Sequence, residues 1–580
     1  MENNIKVIES MYMEYTKEVK VFVDEWRMVS LQHDKKFGAE VIASLIYFYK
    51  KNGMNFKSLD AFFSSNSINN LHFQNTIKAY IAKPFIKSFI EQKRILSDEL
   101  LLGIALFHGT YELSAGIEDN ESLNIALELL LAFEASKPVS FMQIGARFSK
   151  IFTNIITNYS ISDYVGFERD DRLMVVLQLR ALLLQRCKNS FISSDFLGGC
   201  YPDFKSEFNR ILCIPAWRAR INPNGNALKP NIKALMDKNN LNIRDRAWAD
   251  IFAAFNKLAI DGKMVALVTS SNLSGGMDKS LRDYFVSNGY IEGVVELPDM
   301  LLDTSRISLY AMVLSHNNER IRFIDASEAY VSERRKKNID LNIFESILQD
   351  YNSECSKEVS IQEILEEESS LLPKRYTTQS ITVPGAALGE ICSIKRGAVV
   401  SSSELDMIIV PETTGIKYVY SKAIDEESID FTQLPFIDPS LSKKKIDVID
   451  EDCLLVTRTS PFRTKMLYLG GAISTVLNGN LFALKVNKAY SKKYLIEYID
   501  LFFKSELGRL QIERFALGNI VKSLAISDLK SIVIPEIPLA EQLELVSQVQ
   551  RIQKEKQILG EKIQRLVNEE NKIIKEAFNW

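Results

Sequence analysis

The sequence predicts a multidomain α/β protein: a helical N-terminal domain, a doubly wound (Rossmann-like) domain, an α+β domain and a long C-terminal coiled-coil helix. Three observations indicate this class. The chain has 580 residues, which is more than one ordinary domain holds. Its hydrophobic fraction of 46% supplies enough apolar side chains for several cores. The spacing of those side chains changes from helical to strand-like along the chain and returns to helical near the end.

Residues 1–135 are expected to form the helical N-terminal domain. Apolar residues recur there at helical spacing, as in Val41, Leu45 and Phe48, and again in Leu127. One face of each helix is therefore predicted to pack into a shared core.

Residues 136–335 are expected to form the doubly wound domain. Residues 263–269 have the pattern of a strand, residues 279–288 that of a helix, and residues 291–297 that of a strand again. This order favours a mostly parallel sheet, because a helix that crosses between two strands makes them parallel.

Residues 336–380 are expected to be a helical connection, since the acidic run at 366–368 is typical of a solvated surface. Residues 381–537 follow with short strands, loops and turns, and they are predicted to form the α+β domain. Residues 538–580 then return to helical spacing, with apolar residues three or four apart. An isolated helix cannot bury such a seam, so we expect a homodimer through these helices or a partner within the chain.

Composition and charge limit the function classes. The net charge of −3 argues against a protein that binds polyanions over its whole surface, so any nucleic-acid contact must be local. No apolar run approaches the roughly 20 residues of a membrane span, and the N-terminal residues lack the pattern of a signal peptide. The protein is expected to be cytoplasmic. Its six cysteines form no C-x-x-C pair, and no metal site is expected from them or from the four histidines.

Four short segments carry the features of a nucleotide-type site, in order along the chain. The first is residues 141–148 with Gly145; then come Glu168 after Gly166, Asp195, and a tetrapeptide at 214–217. With the sheet-forming segments 291–298 and 307–314, they resemble the ordered motifs of the N6-adenine DNA methyltransferases of type I restriction-modification systems. The resemblance covers about residues 137–351, and it implies a methyltransferase-like fold for the doubly wound domain.

The resemblance also implies a cofactor and roles for particular residues. S-adenosylmethionine would be bound by Gly145, by Glu168 through the ribose hydroxyls, and by Asp195 through the adenine amino group. The family's loop is richer in glycine, and here Phe141 and Arg147 replace an acidic residue and a glycine. A carboxylate after a strand is also commonly a helix cap or a solvated loop residue. Cofactor binding therefore stays an open alternative.

The catalytic tetrapeptide of this family is Asn or Asp, Pro, Pro and an aromatic residue. The corresponding residues here are Ile214, Pro215, Ala216 and Trp217. Trp217 could stack on a flipped base, but the Ile214 side chain cannot accept the hydrogen bond that orients the adenine amino group. We expect this loss to slow methyl transfer on the order of a thousandfold or more. No residue is therefore assigned a catalytic role.

Residues from about 385 to the end resemble one half of a type I specificity subunit, on segments 388–397, 451–459, 518–524 and 534–542. The resemblance implies a single α+β target-recognition domain followed by one spacer helix, with double-stranded DNA and other restriction or defence subunits as partners. A basic side chain is more commonly a solvated surface residue, but as a group these are candidates for DNA contact. The candidates are Lys395, Arg396, Lys443, Lys444, Lys445, Arg458, Arg463, Lys465, Lys522 and Lys530, with Arg458 and Arg463 first.

Three functional hypotheses remain. The first is a sequence-specific DNA-binding protein of a restriction-modification or antiphage defence system, whose methyltransferase fold is catalytically impaired and serves as a scaffold. The second is an active N6-adenine DNA methyltransferase with divergent motifs. The third is a subunit platform that no longer binds DNA. The changes at Phe141, Arg147 and Ile214 favour the first hypothesis over the second, which Glu168 and Asp195 keep open.

Overall fold

The structure is a computed structural model of the chain, divided into two compact units, Met1–Thr378 and Gln379–Trp580. The residues that it describes are 2–33, 37–51, 59–65, 71–108, 120–134, 137–145, 149–184, 188–193, 196–197, 207–217, 219–221, 230–274, 278–302, 307–333, 336–377, 384–411, 416–424, 429, 434–442, 445–469, 474–516 and 522–578. Among these residues, no helix is both long enough and apolar enough to cross a membrane.

The described residues at the start of the first unit form eight helices, in agreement with the all-helical prediction for this region. They are α1 (Glu2–Glu14), α2 (Thr16–His33), α3 (Ala39–Lys51), α4 (Leu59–Ser65), α5 (Leu71–Ile81), α6 (Pro84–Lys93), α7 (Asp98–Phe107) and α8 (Glu121–Leu131).

Strands and helices then alternate to the end of the first unit. The strands are β1 (Val139–Ile144), β2 (Ile161–Glu168), β3 (Lys188–Ser193), β4 (Phe208–Cys213), β5 (Leu258–Thr269), β6 (Ile291–Glu296), β7 (Leu309–Leu314), β8 (Arg320–Asp325), β9 (Tyr330–Glu333), β10 (Lys336–Ile339) and β11 (Ser356–Ser360). The helices are α9 (Ser149–Asn158), α10 (Asp171–Leu184), α11 (Pro230–Lys238), α12 (Arg246–Phe255), α13 (Ser270–Leu273), α14 (Lys279–Ser287), α15 (Leu341–Gln349), α16 (Ile361–Glu366) and α17 (Pro373–Thr377).

Nine of these strands form one sheet in the order β11-β8-β6-β7-β5-β4-β1-β2-β3. Its strands pair in parallel except where β7 and β11 are involved. The predicted strand, helix and strand over 263–297 are confirmed as β5, α14 and β6. From β1 the chain proceeds to β2 and β3 on one side, and then to β4 and β5 on the other side. The strand order therefore reverses between β1 and β4, which is where doubly wound sheets bind ligands.

The N-terminal helices and the sheet layer share apolar contacts. The buried cluster of α2–α7 continues into α10 through Val175, Val176 and Leu179. Arg180, also buried on α10, donates from Nε to the Ala105 carbonyl at 3.0 Å. Asn120 caps α8 by accepting the Leu123 N–H, and its amide group donates to the Leu301 carbonyl. These contacts explain why the helices and the sheet belong to one compact unit.

Part of the segment expected as a helical connection is built into the sheet. β11 pairs with β8 in antiparallel register, and Val359 is fully buried there. Lys374 on α17 forms an ion pair with Glu296 at the carboxyl end of β6, with Nζ 2.7 Å from Oε1. Only one apolar side chain of this five-residue strand is buried, so its sequence has the composition of a solvated segment.

The second unit contains small sheets and short helices before one long helix. Its strands are β12 (Gly385–Ala387), β13 (Cys392–Arg396), β14 (Ile409–Val410), β15 (Ile416–Val419), β16 (Phe436–Ile437), β17 (Cys453–Thr457), β18 (Thr464–Leu467), β19 (Ser474–Leu477), β20 (Leu481–Val486) and β21 (Val533–Pro535). Its α-helices are α18 (Leu388–Ile391), α19 (Ser402–Ile408), α20 (Ile496–Lys504), α21 (Glu506–Phe515), α22 (Ile526–Ser531) and α23 (Leu539–Phe578), and two 3-10 turns span Ser421–Ala423 and Pro439–Leu441.

Two four-stranded sheets organise the second unit, in the orders β13-β20-β17-β18 and β14-β16-β15-β19. A third pair, β12 and β21, brings the first strand of the unit beside its last. Helix α20 packs on the first sheet through Ile499 and Phe502, and α21 adds Ile512 and Phe515 to the same buried cluster. The mixture of short strands and helices agrees with the predicted α+β composition.

The long C-terminal helix is confirmed as α23, which has 40 residues. Gln542 anchors its first turn, because its amide nitrogen donates to the Lys493 and Ile537 carbonyls and its amide oxygen accepts the Leu495 N–H. Every residue from 551 to 578 is exposed within the chain. The coiled-coil pairing of this helix remains a prediction.

Candidate functional site

A cavity of about 380 Å³ opens at the carboxyl ends of β1, β2 and β4. This is the point where the strand order reverses, so the cavity lies where a doubly wound sheet offers a ligand site. Its lining combines apolar strand ends with charged side chains from the β2 turn and from α12. The residues are Ile144, Gly145, Phe167, Glu168, Arg169, Asp170, Leu173, Phe196, Ile214, Pro215, Ala216, Arg246 and Asp250.

Position 145 requires glycine because the backbone packs closely around it. Its φ is +76°, and a Cβ atom added there would lie 2.2 Å from the Ile214 carbonyl oxygen. The Gly145 N–H donates to the Phe167 carbonyl at 2.9 Å, so the end of β1 is held between β2 and β4. The sequence predicted a glycine for close approach to a cofactor, and the structure adds a close approach to the β4 loop.

Glu168 ends β2 and is largely buried at the edge of the cavity. Its Oε1 atom accepts the backbone N–H groups of Arg169 at 2.7 Å and Asp170 at 2.9 Å. Burial favours a raised pKa for Asp170, but the hydrogen bonds from Arg172 hold that pKa below its usual value. The β2 turn therefore presents carboxylates that are already engaged by the chain.

The tetrapeptide follows β4 directly. Ile214 is 3% exposed and belongs to the apolar cluster of the sheet. Trp217 is half-buried against the same cluster, and its indole N–H donates to the Leu267 carbonyl on β5 at 2.8 Å. Ile214, Pro215 and Ala216 line the cavity. The polar contact of the tryptophan is thus directed into the sheet.

Asp250 is a site residue that the sequence did not indicate. It lies on α12, is 3% exposed and lines the cavity. Burial raises its pKa to about 6, against the opposing effects of Arg246 and of the Ala216 backbone N–H. Arg246 Nε lies 3.2 Å from Asp250 Oδ1. The only signal in the sequence is an acid four residues after an arginine within an otherwise apolar helix.

Phe141 does not belong to the loop in which the sequence comparison placed it. It lies inside β1, is fully buried, and contacts the rings of Phe133 and Tyr164. Its aromatic character therefore reflects the core of the sheet. Arg147 and Asp195 lie outside the described residues, so their proposed roles stay predictions.

The second unit separates the basic residues that the sequence grouped together. Arg396 Nε donates to the Gly479 carbonyl at 2.9 Å, and the Arg458 N–H donates to the Asn480 carbonyl at 2.8 Å, so these two arginines meet at one turn. Lys395 lines a different pocket, together with acidic residues 450–452.

The remaining basic candidates are dispersed. Arg463 Nη1 donates to the Ile424 carbonyl at 2.8 Å, and Lys465 lies on β18. The Lys522 N–H donates to the Ser460 hydroxyl, which places Lys522 beside the turn that carries Arg458. Lys445 and Lys530 are exposed, while Lys443 and Lys444 lie outside the described residues.

Comparison with known proteins gives a family match for part of the chain. Residues 166–382 match the family model described as N-6 DNA Methylase. The match begins at the end of β2, after the loop that contains Gly145. This region is therefore similar to the methylase domain that the model describes.

Individual relatives are more distant. Over 81 residues the chain is 30% identical to the methylase subunit of the type I restriction enzyme MpnII of Mycoplasma pneumoniae, a stretch of 13% of this chain and 15% of that subunit's length. The type I methyltransferase subunit of Streptococcus thermophilus aligns with 59% of this chain and 80% of its own, at 16% identity and a TM-score of 0.45. The DrdV–DNA complex aligns with 93% of this chain and 70% of its own, at 10% identity and a TM-score of 0.49.

Proposed function

We propose that this chain is a sequence-specific DNA-binding protein of a restriction-modification or antiphage defence system, and that its methyltransferase fold is a scaffold that does not transfer methyl groups. The observation that carries the proposal is Ile214. At the position where the family has a polar acceptor, its side chain is 3% exposed within an apolar cluster. The restriction-modification context is supported by the family match over residues 166–382.

The chemistry of methyl transfer to an adenine amino group explains why Ile214 is important for the proposal. The amino group needs a hydrogen-bond acceptor that directs its lone pair toward the methyl donor. Ile214 has no such atom, and the Asp250 carboxylate nearby already accepts hydrogen bonds from Arg246 and the Ala216 backbone. The Trp217 indole N–H is bonded to β5. These contacts support a site in which the methyltransferase fold is retained but the hydrogen-bond acceptor for the adenine amino group is absent.

One observation favours an active methyltransferase as a second candidate. The cavity persists at the switch point of the sheet, and Glu168 borders it. There Glu168 would hold the ribose hydroxyls of S-adenosylmethionine, and the backbone at Gly145 would lie against the cofactor. The bound cofactor would supply the electrophilic methyl group. Only the active candidate requires that S-adenosylmethionine binds in this cavity, so binding is measured first and transfer is measured separately.

DNA recognition is assigned to the second unit. Its short strands and loops carry the basic candidates, and the net charge of the whole chain leaves room only for a local contact surface. A chain with one recognition domain would read a two-fold symmetric split site as a homodimer joined through α23. Cleavage or translocation would then be supplied by other subunits of the system.

Titration calorimetry of S-adenosylmethionine into the full chain, with and without duplex DNA, separates the two candidates. The scaffold proposal predicts no heat of binding. Micromolar binding that is lost in Glu168→Gln and retained in Glu363→Gln would instead support the active candidate, because Glu363 is an exposed residue of α16. Binding that survives both changes would place the ligand outside this cavity.

A further inference from the structure

The turn between β17 and β18 in the second unit is fixed by its neighbours. Ser460 donates its N–H to the Lys522 carbonyl at 2.8 Å, and the Leu524 N–H donates to the Arg458 carbonyl at 2.8 Å. The Arg463 N–H donates to the Thr457 hydroxyl at 2.8 Å, which closes the turn. Arg458 therefore projects from a backbone that is bonded on both sides.

Arg396 reaches the same place from a different strand. Its Nε donates to the Gly479 carbonyl at 2.9 Å, while the Arg458 N–H donates to the carbonyl of the next residue, Asn480, at 2.8 Å. A larger residue would be crowded at position 479, since a Cβ atom added to Gly479 would lie 3.1 Å from the Ala398 carbonyl oxygen. The Arg396 guanidinium and the Arg458 backbone thus bond to adjacent carbonyls of one turn.

No carboxylate among the described residues is paired with either guanidinium. The side chain of Arg458 is half-buried, and its pKa is lowered by that burial and then by the positive charge of Arg396. Two like charges at a partly desolvated turn are unfavourable unless an anion joins them. Planar guanidinium groups bind the oxygens of a phosphate through paired hydrogen bonds.

Lys395 shows the opposite environment one residue away. Successive side chains of a strand point to opposite faces, so Lys395 lies on the other face of β13 from Arg396. It lines a pocket of about 250 Å³ together with Asp450, Glu451 and Asp452. Lys485 lines the same pocket and forms an ion pair with Glu451. The positive charges on this face are balanced within the protein.

We propose that Arg396 and Arg458 together form one site for a phosphate of the DNA backbone, and that the Lys395 face of β13 does not contact DNA. This inference rests on the proposed DNA-binding function and assigns it a face and a pair of residues. Because both side chains would hold the same phosphate, they are expected to act as a unit in binding.

The salt dependence of binding to a duplex tests this inference. Fluorescence anisotropy of the full chain on a labelled duplex is measured over a range of salt concentrations for Arg396→Gln, Arg458→Gln, the double variant and Lys395→Gln. Each phosphate contact contributes about 0.9 to the slope of log K against log salt. Either arginine variant is expected to reduce the slope by about one, and the double variant by about one rather than two. Lys395→Gln has the same charge change on the same strand and is expected to leave the slope unchanged.

The Arg458→Lys variant shows whether the effect of Arg458→Gln comes from the lost charge or from a disturbed fold. It keeps the charge but not the planar fork, so the slope should be retained while the affinity falls. An equal loss in Lys395→Gln, or unchanged slopes in both arginine variants, would overturn the phosphate site while DNA binding itself stands. A wild-type chain that binds no duplex at low salt would overturn the proposed function and this site together.

Discussion

At the scale of single residues, the cavity owes its shape to contacts that are specific to this chain. Gly145 could be predicted from the sequence because a turn after a first strand commonly needs glycine, but its close neighbour, the Ile214 carbonyl, could not. That Ile214 replaces a polar acceptor stays a prediction from the sequence, and the structure adds that this side chain is buried. Asp250 could not be found, since its relation to the Ala216 N–H depends on how α12 packs against the β4 loop.

Replacement of Gly145 by alanine is expected to destabilise the first unit by about 2–4 kcal/mol, because the new Cβ would overlap a backbone oxygen that cannot move away. Denaturant unfolding measures the change. Gly560→Ala is the matched control: a Cβ at Gly560 on α23 meets nothing within 4 Å. In that exposed helix, alanine is expected to stabilise by about 0.5–1 kcal/mol. Equal effects at the two positions would contradict the close approach at Gly145.

At the scale of secondary structure, strongly periodic segments were predictable and weak ones were not. β5, α14, β6 and α23 follow from apolar spacing alone, because each has a long or regular pattern. β11 escaped prediction, since a five-residue edge strand with charged exposed side chains resembles a solvated segment. The sequence also does not identify what packs against the apolar seam of α23. It indicates that the seam needs a partner, but not which one.

Charge placed on the α23 seam is expected to abolish self-association. Leu559 and Leu566 are each 57% exposed on the single chain and one heptad apart, so a second copy would bury both. Sedimentation equilibrium should give twice the 66.0 kDa of one chain for the wild type, and a monomer for Leu559→Glu with Leu566→Glu.

Lys554→Glu with Asn568→Glu provides the control for this seam, because these residues lie on the opposite side of the helix. This variant should remain dimeric. A monomeric wild type, or dissociation of both variants alike, would rule out homodimerisation through the seam.

At the scale of the whole molecule, two units divide the proposed work. The first keeps the doubly wound sheet, the switch-point cavity and a family match over residues 166–382, while its tetrapeptide lacks a polar acceptor. The second carries an arginine pair at a fixed turn. The motifs of the sequence predict both roles, and both stay proposals; the choice of one basic face over another depends on the strand pairing, which the sequence does not show. A protein of this kind would bind DNA and present its first unit as a surface for other subunits.

Transfer of labelled methyl groups from S-adenosylmethionine to unmethylated genomic DNA tests the central claim most directly. The assay is run on full-length protein that retains duplex binding, beside a working N6-adenine methyltransferase as the standard. We expect incorporation at the background level, because Ile214 offers no acceptor for the adenine amino group. Incorporation into adenine well above background, removed by Glu168→Gln, would contradict the scaffold account and establish an active enzyme.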